Sequence, residues 1–133
     1  MRQKKYLFDL LIYGLVTVLI ILFFKLISDR KIAALCAGSL FIFTPVWRGL
    51  LEFSENKFKN VLWWAGTAQF WFFMALPIFL FRIIYWSEAF ENISVFGIYL
   101  QQLHQVSNIS YMGMLLTTGI SYWIARAEAK ANK

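Results

Sequence analysis

Residues 61–86 read VLWWAGTAQFWFFMALPIFLFRIIYW, with no charged side chain before Arg82. At 1.5 Å of rise per residue, a helix of this length covers the roughly 30 Å of a bilayer's hydrocarbon core. Trp63 and Trp64 stand at one end and Tyr85 and Trp86 at the other, where amphipathic rings favour the headgroup level. The stretch therefore reads as a membrane helix with both ends marked. Pro77 lacks a backbone donor, so a kink is expected there. Gln69 is the one strongly polar side chain at depth, and an amide in hydrocarbon needs a partner on another helix.

The totals agree with a chain dissolved in lipid. Of its 133 residues 60% are hydrophobic and 20% aromatic, more apolar surface than a small soluble domain can hide. The net charge is +6, but the cations are scattered over chain ends and connections and form no stripe. That argues against nucleic-acid binding and for a basic cytoplasmic face. Cys36 is the only cysteine, which excludes an intrachain disulfide and a multi-cysteine metal site.

Working outward, three further spans are expected, at about 6–27, 32–51 and 109–125. Arg2, Lys4 and Lys5 precede the first, as in a signal peptide. Its length, Asp9, and the absence of a small-residue cleavage site favour a retained helix. Ser28, Asp29 and Arg30 end it and start the second span, where Ala34 and Gly38 offer a close helix approach and Pro45 a kink near Thr44. Glu52 to Asn60 reads as a charged turn. Between Ser87 and Ser110, Ile93, Phe96, Leu100 and Leu103 recur at steps of three and four, which predicts an amphipathic interfacial helix at about 92–105; the alternative is a fourth span that starts early and unwinds near Asn108. In the last span Gly113, Thr117, Ser121 and Ala125 recur every fourth residue and form a helix-packing face. The expected fold is an all-α integral membrane protein: one domain over 1–133, a four-transmembrane-helix bundle with the amphipathic segment before the last span.

Orientation follows from the cations. With both termini inside, the cytoplasmic side holds Arg2, Lys4, Lys5, Arg48, Lys57, Lys59, Arg126, Lys130 and Lys133. The outer side holds Lys25, Arg30, Lys31 and Arg82. Nine against four favours N-in/C-in, in a bacterial cytoplasmic (inner) membrane.

Ionisable groups within spans are where function is sought first. Asp9 and Arg48 fall at similar depth on the first two helices and are expected to form a structural ion pair. Lys25 and Arg82, near the other surface, are expected to snorkel to water. His104, the sole histidine, defines a speculative polar site with Glu88 and Glu91. One imidazole and two carboxylates make a poor metal site, and neither a metal nor a cofactor is expected. Ser107 and Ser110 near His104 are the only hint of a nucleophile with a base. HExxH, phosphate-loop and GxSxG patterns are all missing, so no catalytic residue and no enzyme activity are expected. The aromatic residues Phe70, Trp71, Phe72, Phe73, Phe79 and Phe81 of the 61–86 stretch suggest a groove for a quinone or lipid tail, or simple packing bulk. Asn92 and Asn108 head glycosylation-type triplets, which matter only in a eukaryotic cell.

The expected function is non-catalytic. The chain would act through helix–helix or lipid contacts, as an accessory subunit of a membrane complex or a protector against a membrane-active toxin. Its partners would be the bilayer and a membrane protein or a second copy, met through the Gly113/Thr117/Ser121 face and the outer loop. The alternative is a small oligomeric transporter or channel lined by Thr67, Gln69, Thr117 and Thr118.

Overall fold

The computed structural model describes residues 2–132, so Lys133, one of the counted cations, lies outside the described residues. The described chain is almost wholly helical. Helix α1 spans Arg2–Leu26 and α2 Arg30–Asn56. Between them Asp29 caps α2, its carboxylate accepting from Lys31 N at 2.8 Å. A third rod follows in three pieces: α3 (Val61–Phe70), a π turn (Trp71–Ala75) and α4 (Leu76–Ile84). Asn60 caps α3 by accepting from Trp63 N. Helix α5 runs unbroken over Leu100–Ala131. The rods alternate in direction. Both termini and the α2–α3 turn gather at what we call the terminal end, and the α1–α2 turn and residues 85–99 form the far end.

Three of the rods, α1, α2 and Val61–Ile84, are long and apolar enough to cross a membrane. The fourth, α5, carries more polar residues, but turns them inward: Thr118 and Ser121 are buried while Ile109, Met112, Leu116 and Trp123 are exposed.

The two prolines act differently. Pro45 sits inside an uninterrupted α2. The side-chain donor reaching that turn is Trp71 Nε1, bound to the Ile42 carbonyl at 3.1 Å, rather than the Thr44 hydroxyl. Ahead of Pro77 the helix widens into the π turn, and Leu76 N donates to Trp71 O. A wider turn re-spaces the carbonyls that a proline leaves unserved.

Three expectations are corrected. Helix α2 continues beyond Leu51 to Asn56, because Glu52 is not solvated but buried and bound. Trp63 is fully buried against Tyr6 and Ala125 instead of standing in a lipid-facing belt. The amphipathic helix at 92–105 does not exist as a separate element. Phe90–Asn92 is a single 3₁₀ turn, and Ser94–Val95 (β1) pairs antiparallel with Ile98–Tyr99 (β2) before α5 begins. Phe96 and Gly97 both adopt positive φ, 52° and 79°, the pairing a tight hairpin turn requires. The apolar spacing arises because Ile93 and Leu100 plug the far end together, with Leu100 N donating to Ile93 O at 2.8 Å. Phe96, at the hairpin tip, is 100% exposed.

The core lies at mid-bundle, where Tyr13, Ile42, Phe70, Tyr111 and Met114 meet, with Phe41 edge-on to Phe70 and Tyr111. Gly66 is essential to the α3–α5 crossing, since a Cβ there would run into the Thr117 side chain. Two helix backbones approach closely only where one offers no side chain.

Candidate functional site

Polar side chains gather at three levels of the bundle. At the terminal end, the four-residue spacing of Lys5 and Asp9 places both on one face of α1. Arg48 and Glu52 share a face of α2 in the same way. Because the helices are antiparallel, Asp9 meets Arg48 and Lys5 meets Glu52. Asp9 and Arg48 form a buried ion pair, with the guanidinium also over the rings of Phe8 and Trp47. Lys5 Nζ bridges Glu52 Oε2 at 2.7 Å and Glu55 Oε2 at 2.8 Å. Glu52 Oε1 further accepts from Tyr6 Oη and Asn56 Nδ2, and Asn60 Nδ2 donates to Tyr6 Oη at 2.7 Å. Each buried charge in this group faces one of opposite sign. It is a clamp between α1 and α2. Sequence reasoning found Asp9 with Arg48 but missed Lys5 with Glu52, although both pairs carry the same signature: opposite charges four apart on adjacent antiparallel helices.

At mid-depth Gln69 faces α5. Its Nε2 donates to Gly66 O at 3.0 Å and Ser110 O at 2.9 Å, while Ser110 Oγ donates to Gln69 Oε1 at 2.6 Å. Thr117 and Thr118 each donate to Met114 O. Tyr111 Oη donates to Tyr13 O at 2.9 Å. These groups serve one another and the backbone. The Gly113/Thr117/Ser121 face is likewise spent inside the molecule: Gly113 lies against Gln69, Thr117 against Gly66, and Ser121 donates to Thr117 O. It packs within the chain.

At the far end a cavity of about 310 Å³ opens between α1, α2, α4 and α5. Its floor is apolar, built from Ala37, Phe41, Phe70, Ala75, Ile78 and Phe79. Arg30, Arg82, Glu91, His104, Ser107 and Asn108 surround its mouth. Of the aromatic residues singled out on the third rod, Phe70 and Phe79 line this space, whereas Phe72 and Phe73 face outward. Arg82 does not snorkel. It is 7% exposed, folded beneath the 85–93 loop, with Nη1 directed to Glu88 O at 3.4 Å and the guanidinium over Phe90. Its Nε has no hydrogen-bond partner. Among the described residues no carboxylate lies within ion-pair distance of it. Lys25 is exposed, as expected.

The group formed by His104, Glu88 and Glu91 is only partly assembled. His104 and Glu91 share the cavity mouth, but no ion pair joins the imidazole to either carboxylate among the described residues. Glu88 contributes its backbone carbonyl, to Arg82. His104 stacks edge-on against Phe90, and partial burial pushes its pKa below the usual imidazole value. Ser107 Oγ donates to the His104 carbonyl at 2.6 Å, not to its ring. No cluster of three or more metal-ligating side chains occurs among the described residues. Compared with known proteins, the chain matches no family model, no curated protein and no solved structure.

Proposed function

We propose that this chain is a non-catalytic, four-span membrane protein that acts through lipid contact at its far-end cavity. The observation that carries the reading is the cavity itself, an apolar chamber with a polar mouth between helices whose outer surfaces are apolar. Its volume of about 310 Å³ sits at the small end of ligand sites, roughly 300–1,000 Å³. The fourth span is supported by the outward Ile109, Met112, Leu116 and Trp123 of α5. The grouping of Arg2, Lys4, Lys5, Lys57, Lys59, Arg126 and Lys130 at one end favours N-in/C-in, in a bacterial cytoplasmic membrane.

Two observations weigh for contact over transport or catalysis. Gln69, Thr117 and Thr118 spend their hydrogen bonds on the bundle, and none of them, nor Thr67, lines the cavity. Ser107 and Ser110 spend their hydroxyls on the His104 backbone carbonyl and on Gln69, and neither bonds the imidazole. An accessory subunit or a toxin protector remains compatible with a lipid-bound state.

The test is native mass spectrometry of protein released from mild detergent. The wild type should carry one amphiphile per chain, and Ala34→Phe, which fills the cavity wall, should lose it at unchanged thermal stability. Equal retention by both proteins, or no bound amphiphile on the wild type, overturns the reading.

A further inference from the structure

Arg82 carries an inference that the cavity's shape alone does not. An arginine in a membrane-embedded bundle is expected to pair, or to reach water along its own stem. Arg82 does neither. Its side chain is more than nine-tenths buried, and its protein contacts are one long bond to a carbonyl and the face of Phe90. Phe90 lies over the guanidinium, Arg82 is one of the residues lining the cavity, and its buried Nε has no hydrogen-bond partner. A guanidinium remains protonated under all ordinary conditions. Burying it without a counter-charge is therefore costly, and the missing anion has to come from outside the chain.

The rest of the mouth has the matching chemistry. Arg30 is a second guanidinium, and Ser107 and Asn108 bring further polar groups. Glu91 is the one carboxylate there, set against two arginines. Below the mouth the wall is aromatic and aliphatic, and the volume of about 310 Å³ is small for a two-chain lipid. We infer that the far-end cavity binds a single-chain amphiphile ending in an oxyanion, with its headgroup on the planar edge of Arg82 and its chain among Phe41, Phe70, Ile78 and Phe79. Phosphate and carboxylate both match the guanidinium fork. The source is a membrane lipid, because a free anion leaves the apolar chamber empty. The inference rests on the cavity being a lipid site.

Binding to the purified full-length protein tests it, using three probes: 1-oleoyl lysophosphatidic acid, monoolein with the same chain but no charge, and inorganic phosphate. The wild type should bind lysophosphatidic acid at least tenfold more tightly than monoolein. Arg82→Gln should erase that preference while leaving monoolein binding unchanged, and Arg82→Lys should retain part of it. Should Arg82→Gln fail to fold, the wild-type ratio and the loss of both lipids in Ala34→Phe still decide. Equal wild-type affinity for the two lipids overturns the oxyanion inference and leaves the lipid site standing. Binding of neither lipid removes the site itself. Inorganic phosphate binding as tightly as lysophosphatidic acid overturns the lipid source.

Discussion

Asp9 and Arg48 show what a buried charge does when its partner is supplied. Breaking such a pair from one side strands the other charge, which costs about 3–5 kcal/mol, whereas an apolar replacement of both is often neutral. Asp9→Asn and Arg48→Gln should each lower stability by that order in a denaturant titration in detergent, and Asp9→Leu combined with Arg48→Met should recover most of it. A double variant no more stable than either single would refute the pairing. Arg82 is the opposite case, a charge whose partner the chain does not provide. The sequence disclosed the first pair through matching depth. Its expectation for Arg82 was wrong for a physical reason: position along a helix gives depth, but not whether a later loop folds over the side chain.

Elements were legible where composition decides and obscure where backbone conformation does. The four rods follow from apolar length and from caps such as Asp29. The hairpin at Ser94–Tyr99 does not, because an apolar repeat of three and four fits a helix as well as two plugs flanking a turn. Gly97, with φ of 79°, was the signal available. Left-handed backbone costs an L-residue roughly 1–2 kcal/mol, so Gly97→Ala should destabilise the hairpin by about that amount. Hydrogen exchange of the amides around Ile93–Leu100 should accelerate while those of Tyr111–Ser121 stay protected. If the two regions changed together, the hairpin would be part of the global unfolding unit. The cavity lay outside the sequence's reach altogether. Its wall residues come from four separated stretches, and only the bundle brings Ala34 of α2 opposite Ser107 of α5.

At the scale of the molecule, the alternating rods put Arg2 beside Glu128 and place both chain ends on one side. Single cysteines at Gln3 and Asn132, in a Cys36→Ser background, should react with a membrane-impermeant thiol reagent only in inside-out vesicles. A cysteine at Phe96 should react only in right-side-out ones. Opposite sidedness of residues 3 and 132 would leave three crossings in place of four. Phe96, fully exposed on its hairpin, then stands where the far end meets the headgroups.

The Lys5–Glu52 and Asp9–Arg48 cross-links bear on how the protein is made. Helix α2 carries Arg48, Glu52 and Pro45, a poor passenger for lipid on its own, since charged residues resist partitioning from the translocon. Helix α1 already holds the complementary charges at the matching heights. If α1 and α2 are both spans, inserting them as a pair would present the membrane with a self-neutralising hairpin, the first crossing securing the second.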